Sequence, residues 1–499
     1  MKPETSIQLA MALPLLAIVL TVVFGQWPNV RESLTLLLAG TVFVVVACMA
    51  QGVFAGGRPG VSWLEVVPGL KLAFELEPLG MLFALVASGL WIVTTCYSIG
   101  YMRAHNESHQ TRFYAFFAMA IFAALGAAMA QNMFTLFIFY EVLTLSTYPL
   151  VTHHGDEKAR RGGRIYLGIL LFTSIAFLLL AVTWTWVIAG TLDFKPGGVL
   201  AGRADDRLLF VLLMLYAFGT GKAALMPFHR WLPAAMVAPT PVSALLHAVA
   251  VVKVGVFTIL KVSVYIFGID LLNTSRISVP LMYLAGTTVL VASLVALTRD
   301  NLKARLAYST ISQLSYVVLG AALATSWGVI GGSMHIAMHA FGKITLFFCA
   351  GAIIVALHKT EISDMVGIGR QMPVTMVAFT IGALSVIGLP PFGGSWSKWY
   401  LALGAIEADQ LIFVAVLMIS SLLNIAYLMP VAIRAFFTPI PVTGAESKLA
   451  NDTAHVGLAG IHEAPLLCVL PLCFTALGCL VLFFYASDIY QLLLPIAGR

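Results

Sequence analysis

The sequence predicts an all-α membrane protein with about fourteen transmembrane helices. Three observations predict this class: 60% of the 499 residues are hydrophobic, only 10% are charged, and the apolar residues fall in long runs. An ordinary soluble domain has about 25% charged residues, because its outside must be solvated. The surplus of apolar surface must therefore face lipid. This composition excludes a soluble enzyme, a nucleic-acid-binding protein and a disordered scaffold.

Runs of about 20 mostly apolar residues, the length that crosses a bilayer as a helix, define the predicted spans. The first span has no basic segment before it beyond Lys2, so we expect a retained helix and not a cleaved signal peptide. Residues 61–77 alternate apolar and charged residues, which predicts a β-hairpin outside the membrane. The predicted spans are 6–25, 34–52, 78–101, 112–130, 133–151, 165–189, 207–226, 239–262, 279–298, 304–325, 328–357, 373–404, 411–433 and 465–487.

The Lys and Arg residues of the loops predict the orientation. Loops on the side of the N-terminus contain eight of them, including Lys2 and Arg499, and loops on the other side contain fifteen. Cytoplasmic loops carry the excess of basic residues, so both termini are expected on the non-cytoplasmic side. Since the basic residues are spread over short loops, the net charge of +6 indicates no nucleic-acid partner.

The cysteines predict no disulfide framework, metal site or redox centre, and we expect no cofactor. None of them belongs to a CxxC motif or a Cys/His cluster with metal-ligand spacing. As small residues inside apolar runs, they are expected to pack in the core. They are Cys48, Cys96, Cys349, Cys468, Cys473 and Cys479.

Five lysines and one glutamate fall inside predicted spans, where a charged side chain costs about 2.5–3.5 kcal/mol at the helix centre. They are Lys222, Lys253, Lys261, Lys343, Lys398 and Glu141. Lys261 lies at the end of its span, so we expect its ammonium group to reach the interface. Lys398 has Trp396 and Trp399 beside it and apolar residues after it, which favours a buried position. The others are too deep to reach water, and each is either paired for structural reasons or functional.

Proton-carrying side chains accompany the deep lysines. His335, His339 and Lys343 follow one another at intervals of four residues, which places them on one stripe of a helix. A lysine in apolar surroundings can hold or release a proton, depending on its distance from a partner such as Glu141. The sequence therefore predicts a proton pathway. Its candidate residues are Glu141, Lys222, Lys253, His247, His335, His339, Lys343 and Lys398.

Glycine and proline interrupt two of the predicted spans, each close to a lysine. The interruptions are FGTGKAALMPFHRWLP around Lys222 and IGLPPFGGSWSKWY around Lys398. A broken helix is tolerated in a membrane only where it lines a cavity, and two breaks in matching places indicate inverted repeats. We therefore predict two inverted five-helix repeats with broken helices 7 and 12. The predicted divisions are 1–111 for three N-terminal helices, 112–265 and 279–436 for the repeats, and 465–499 for a C-terminal helix.

These motifs resemble the antiporter-like subunits shared by respiratory complex I, membrane-bound hydrogenases and Mrp-type multisubunit Na+/H+ antiporters. The resemblance covers nearly the whole chain. It implies fourteen helices and a hydrated axis through Glu141, the interior lysines and the twelfth helix. The motifs that carry it are YEVLTLSTYPLV, GKAALMPFHRWLPAAMVAPTPVSALLHAVAVVKVG, ARLAYSTISQLSYVVLG, HAFGKITLFFCAG and GLPPFGGSWSKWYL.

Within this superfamily, GGSWSKWYLALGAIEA resembles the Mrp-type D subunit, and one complex I subunit type has glutamate where this chain has Lys398. The resemblance implies a proton-translocating subunit of a Na+/H+ antiporter in a bacterial inner membrane, with the A, B, C, E, F and G subunits as partners. The alternative is a proton-pumping subunit of a redox-driven complex, either NADH-quinone oxidoreductase or a membrane-bound hydrogenase. A carrier of organic solutes or a purely structural subunit would leave the buried lysines unexplained.

Overall fold

The computed structural model describes residues 3–438 and 460–498, so Lys2, Lys448 and Arg499 of the charge count lie outside the described residues. Among the described residues, twelve helices are long and apolar enough to cross a membrane. The two predicted spans not among them, 207–226 and 373–404, are those that Gly and Pro interrupt. The predicted class, an all-α membrane protein, is confirmed, and the predicted count of fourteen is compatible with this structure.

We number the membrane helices α1 to α14 in chain order. Two of them are broken: α7 begins as Asp206–Gly219 and continues in short turns to Val237, and α12 consists of Pro373–Ile387 and Gly394–Glu407. The unbroken helices are α1 Pro3–Val23, α2 Pro28–Phe54, α3 Pro78–Ala104, α4 Gln110–Ala128, α5 Met133–Val151, α6 Glu157–Ala189, α8 Thr240–Phe267, α9 Val279–Leu297, α10 Leu302–Leu323, α11 Ser326–Leu357, α13 Leu411–Phe437 and α14 Leu466–Phe484.

The hairpin predicted for residues 61–77 is present between α2 and α3. Strands β1 (Gly60–Val67) and β2 (Leu70–Glu75) pair antiparallel. The backbone N–H of Ala73 in β2 donates to the Thr135 hydroxyl of α5 at 3.1 Å, which holds the hairpin against the helices. β1 is mostly exposed, because it lies on the outer side of β2.

Polar side chains fix where several helices begin. Glu77 accepts hydrogen bonds from the backbone N–H groups of Leu79 and Gly80 at the start of α3, both at 2.8 Å. Asn132 caps α5 and Asp156 caps α6 in the same way. Each cap satisfies a backbone donor that has no partner within the helix.

α8 and α10 form the centre of the helix packing. In their most apolar stretches of 18 residues, 100% of α8 and 94% of α10 are buried, against 33% in α13 and α14. A helix that is apolar all round is stable only inside other helices or in lipid. The charged residues of α8 are therefore enclosed by protein.

The break in α7 lies directly against α8. The first segment of α7 ends at Gly219, and Ala224 adopts a left-handed conformation with a φ of +55°. Gly255 of α8 touches this turn so closely that a Cβ atom there would collide with the backbone of Lys222 and Ala223. The missing side chain at position 255 therefore lets α8 approach the break.

The break in α12 also depends on glycine. Gly388 follows the first segment with a φ of +89°, a conformation that a residue with a Cβ rarely adopts. A Cβ atom at this position would also lie 2.7 Å from Cδ of Lys398. The chain then turns at Pro390 and Pro391 and re-enters a helix at Gly394.

The expectation that Lys261 reaches the interface is wrong. Lys261 is 1% exposed, and its Nζ lies 2.8 Å from Oε1 of Glu77. The Tyr265 hydroxyl donates to the other oxygen of that carboxylate at 2.9 Å. The segment that follows α6 covers the end of α8, since the N–H groups of Val199 and Leu200 donate to the Ile266 carbonyl. The ammonium group is therefore neutralised by an interior carboxylate and not by water.

The six cysteines are free thiols, and Cys349, Cys468 and Cys479 are buried. The expectation that the cysteines pack in the core is wrong for Cys48, which is exposed because α2 is a peripheral helix.

Candidate functional site

The structure encloses seven of the eight candidate pathway residues. We call these seven the lysine–histidine row: Lys222, His247, Lys253, His335, His339, Lys343 and Lys398. Each is at most 9% exposed. The row is contributed by the break in α7, by α8 and α11, and by the second segment of α12.

Lys222 is held by α5. Its Nζ donates to the backbone carbonyl of Tyr140 at 2.8 Å and to the Thr144 hydroxyl at 2.5 Å. The same ammonium group lies 3.2 Å from the centre of the Tyr140 ring, a cation–π contact. The Tyr140 hydroxyl accepts the backbone N–H of Lys222 at 3.0 Å. One tyrosine therefore fixes both the backbone and the charged end of Lys222.

Glu141 is not in direct contact with Lys222, contrary to the expected pair. No ion pair within 4.0 Å joins them among residues 3–438 and 460–498. Glu141 is only half-buried, so the expectation that it lies too deep to reach the surface is also wrong for this chain by itself. Its inner oxygen, Oε1, has no hydrogen-bond partner in the described structure. The charges of Glu141 and Lys222 still act on each other through the interior.

Lys253 is joined directly to α11. Its Nζ lies 2.6 Å from Nδ1 of His339, a hydrogen bond between two groups that both exchange protons. The rings of His339 and His335 are stacked 5.6 Å apart. His335 in turn bonds through Nδ1 to the Ser397 hydroxyl at 2.9 Å, next to Lys398. The stripe on α11 therefore runs from α8 to the broken α12.

His247 lies in an irregular turn of α8 beside Phe347, with ring centres 4.5 Å apart. Both of its nitrogens are buried without a hydrogen-bond partner among the described residues. A buried polar atom without a partner costs about 1–3 kcal/mol, so packing alone does not explain a histidine here. A ring with two open nitrogens can accept a proton on one side and release it on the other.

Lys343 and Lys398 are connected by side chains of α10 and α13. The Nζ of Lys343 donates to the Ser309 hydroxyl at 2.5 Å, and that hydroxyl lies 2.8 Å from the Tyr427 hydroxyl. In the amide orientation that satisfies both of its ends, the Asn424 nitrogen donates to the Tyr427 hydroxyl. With the Asn424 amide oxygen turned inward, this oxygen lies 3.2 Å from Nζ of Lys398. Direct hydrogen bonds thus join the two lysines.

Lys398 also uses the break in its own helix. Its Nζ donates at 2.8 Å to the carbonyl of Ile387, the last residue of the first segment of α12. The Ser421 hydroxyl of α13 accepts a second bond at 3.1 Å. The carbonyls at a helix end have no partner within the helix and carry partial negative charge, so the break supplies an acceptor for the ammonium group.

Asn424 and Tyr427 are site residues that the sequence interpretation missed. Both lie in α13, whose apolar run reads as an ordinary lipid-facing span. A signal was present: Ser420, Asn424 and Tyr427 follow at i, i+4 and i+7, which is one face of a helix. All three are fully buried, although α13 is otherwise a peripheral helix.

The row holds positive charge against neutral partners. The charges of Lys253 and Lys398 both act on Lys343. Like charges in a medium of low dielectric constant repel strongly, so proton occupancy at one of these sites changes proton affinity at the others. Within the described ranges, no group of three or more His, Cys, Asp or Glu residues could hold a metal ion. The arrangement is suited to binding and passing protons.

Comparisons with known proteins agree with this architecture. Residues 130–424 match the family model described as NADH:quinone oxidoreductase/Mrp antiporter, TM. The chain is 33% identical over 430 residues to the N subunit of NADH-quinone oxidoreductase from Desulforudis audaxviator, covering 84% of this chain and 85% of that protein. It is 28% identical over 481 residues to the D subunit of the Na(+)/H(+) antiporter from Alkalihalophilus pseudofirmus, covering 94% of this chain and 92% of that protein.

The fold is also found in a solved structure. A chain of the Mrp complex from Dietzia sp. DQ12-45-1b superposes with a TM-score of 0.87 at 22% identity, covering 100% of this chain and 97% of that one. Other curated relatives are longer, and the chain spans about half of their length. The family match covers more than half of this chain and includes every residue of the lysine–histidine row. The chain therefore belongs to the NADH:quinone oxidoreductase/Mrp antiporter family of transmembrane proteins.

Proposed function

We propose that this chain is the proton-translocating subunit of a multisubunit Na+/H+ antiporter. The observation that carries the proposal is the lysine–histidine row, whose lysines bond only to neutral groups among the described residues. Enclosing four lysines without carboxylate partners is costly and stabilises nothing. Reversible loss of the lysine protons is a function that explains why these side chains are buried. The similarity to the D subunit of a Na+/H+ antiporter supports this assignment.

The proposed route follows the contacts in order. Lys222 takes up a proton under the influence of Glu141, and His247 and Lys253 receive it in α8. The 2.6 Å bond from Lys253 to His339 passes it to α11. Water completes the route wherever side chains of the row do not touch.

The second part of the route ends at the broken α12. From the histidines of α11, the proton reaches Lys343. The hydroxyls of Ser309 and Tyr427, with Asn424, then link Lys343 to Lys398. The hydroxyls of Ser309 and Tyr427 can each accept one proton while they donate another. The Asn424 amide cannot relay a proton in this way, so it orients Tyr427 and Lys398, and water carries the proton over this last step.

We assign to this chain the proton half of the exchange. A Na+ site needs several oxygen ligands, and Glu141 is the carboxylate whose charge acts on the row, at Lys222. The sodium pathway then lies in a partner subunit or is shared with one. The partners we infer are the Mrp-type A, B, C, E, F and G subunits.

We also infer the arrangement of the chain in the membrane. Two inverted five-helix repeats, 112–265 and 279–436, are supported by the matching breaks next to Lys222 and Lys398. The N-terminal helices (1–111) and the C-terminal helix (465–499) pack outside these repeats. The excess of basic residues on one side supports non-cytoplasmic termini in a bacterial inner membrane.

The second candidate is a proton-pumping subunit of a redox-driven complex. It is favoured by one observation, the 33% identity to the N subunit of an NADH-quinone oxidoreductase. The same row would move protons, and electron transfer in other subunits would supply the energy. The two candidates differ in what drives the protons.

The test measures proton movement in everted membrane vesicles from cells that express the complete operon of this chain. A proton gradient is imposed without any electron donor, and Na+ is then added. The antiporter predicts that Na+ dissipates the gradient at once. Movement only after NADH or another electron donor is added would contradict the antiporter and support the redox-driven complex.

A further inference from the structure

The loop before α6 and the basic first turns of α6 form a groove that the proton pathway does not use. Tyr148 at the end of α5, Gly155, and Glu157, Arg160 and Arg164 of α6 line a surface cavity of about 620 Å³. Arg160 and Arg164 are four residues apart, so they lie on the same face of the helix. Both are exposed and neither forms an ion pair within the described part of the chain.

Close packing of α5 against α6 fixes the shape of the groove. The ring of Tyr148 packs beside Gly163 of α6, where an added Cβ would lie 3.1 Å from the ring. The Asp156 carboxylate caps the start of α6 and accepts the N–H of Ala159 at 2.7 Å, so this helix end carries its own negative charge. The cationic character of the groove therefore comes from the two arginine side chains, partly offset by Glu157.

The surface of α6 below the groove is apolar. Phe172 and Ile175 lie on the same stripe as Arg164 and are 55% and 53% exposed. Gly168, between them and Arg164, has open space on its outer side. On the adjoining α5, Leu145 is 56% exposed. A continuous apolar track thus leads from the arginines along the membrane-spanning part of the helix.

We propose that this groove binds the headgroup of an anionic phospholipid. Arg160 and Arg164 would hold the phosphate, because guanidinium groups match phosphate oxygens in charge and in geometry. The Tyr148 hydroxyl would donate a further bond, and the acyl chains would lie along Phe172 and Ile175. Basic pockets between helices at the membrane surface are suited to such headgroups. A free anion would leave the apolar track uncovered, which favours the lipid.

The test compares lipid binding by the assembled, delipidated complex and by two matched variants. Binding of dioleoylphosphatidylglycerol and of dioleoylphosphatidylcholine from mixed micelles is measured by native mass spectrometry. R160Q/R164Q removes the two arginines of the groove. K158Q/R161Q removes the same charge from the same helix turns but leaves the groove intact, because neither residue lines it. All four side chains are exposed, so both variants should assemble.

We expect R160Q/R164Q to weaken phosphatidylglycerol binding at least fivefold and K158Q/R161Q to change it less than twofold. Equal losses in the two variants would show a diffuse surface charge and overturn the proposal. No loss in either, as expected if a protein partner fills the groove, would also overturn it. So would equal binding of phosphatidylcholine by the wild type. Displacement of the lipid by inorganic phosphate at constant ionic strength would indicate a site for a soluble anion instead.

Discussion

At the scale of single residues, each interior lysine of the row is held by groups that cannot keep its charge permanently. Lys222 bonds to a carbonyl and a hydroxyl, and Lys343 bonds to Ser309. Lys261 provides the contrast, since it is just as buried but pairs with Glu77, whose carboxylate also accepts the Tyr265 hydroxyl. A carboxylate partner balances the charge of a buried lysine. The neutral partners therefore separate the lysines that we propose for transport from Lys261.

Tyr427 offers the sharpest residue-level prediction. Tyr427→Phe removes the hydroxyl that links Ser309 to Asn424 and leaves the packing of the ring unchanged. Losing a hydrogen bond of about 1 kcal/mol should slow proton transfer about fivefold. The measurement is the rate of Na+/H+ exchange in vesicles that contain normal levels of the assembled complex.

Tyr216→Phe is the matched control for this variant. Tyr216 is equally buried, and its hydroxyl bonds to Thr185 at 2.7 Å, away from the row. We expect this control to exchange at the wild-type rate. If both variants lost the same activity, the bridge through Tyr427 would have no special role.

The residues also define what sequence reasoning could and could not find. The interior lysines and histidines were predictable, because charge inside an apolar run is costly and therefore conspicuous. Tyr427 was not singled out, since tyrosine is a common residue of membrane helices. The burial of Lys261 depends on Glu77, which is 184 positions away in the chain, and only the packing of α3 against α8 reveals it.

At the scale of elements, the function depends on how α8 meets the break in α7. Gly255→Val would place a branched side chain against the backbone of Lys222. We expect this contact to push the turn away from Tyr140 and to lower exchange at least tenfold. Gly40→Val is the control, because the outer side of Gly40 in α2 faces open space. Wild-type exchange by Gly255→Val in an assembled complex would show that close packing here is unnecessary.

The turn after α5 gives a prediction about stability and pH. Burial lowers the pKa of His153 from 6.5 to about 4, and its Nε2 lies 3.8 Å from Glu107. The unfolded chain takes up this proton near pH 6.5, whereas the folded chain takes it up only near pH 4. Stability should therefore fall as the pH drops from about 6.5 to about 4, by about 3 kcal/mol in full.

His153→Phe should remove this part of the acid sensitivity. The measurement is the thermal unfolding midpoint in detergent between pH 8 and pH 4, with the exposed His462→Phe as control. In the control, the unfolding midpoint should fall with decreasing pH as steeply as in the wild type. If the unfolding midpoint of His153→Phe fell with decreasing pH as steeply as that of the wild type, other groups, such as Glu107 at lower pH, would cause the loss of stability.

At the scale of the whole molecule, the fold is arranged around an enclosed polar centre. α8 and α10 supply the interior, and the broken α7 and α12 bring Lys222 and Lys398 to its two ends. The membrane class, the hairpin and both breaks were predictable from hydropathy and from Gly and Pro. The relation of Glu141 to Lys222 was not, because a sequence does not fix how far apart two helices hold their side chains.

We propose that protons cross the membrane through the lysine–histidine row. The most direct test is Na+-driven proton movement, without an electron donor, in everted vesicles that contain the full complex with Lys222→Ala. Lys195→Ala, which removes an exposed lysine, is the control. The account predicts that exchange is lost in Lys222→Ala and kept in Lys195→Ala, at equal levels of assembled complex. Undiminished exchange in Lys222→Ala would contradict it.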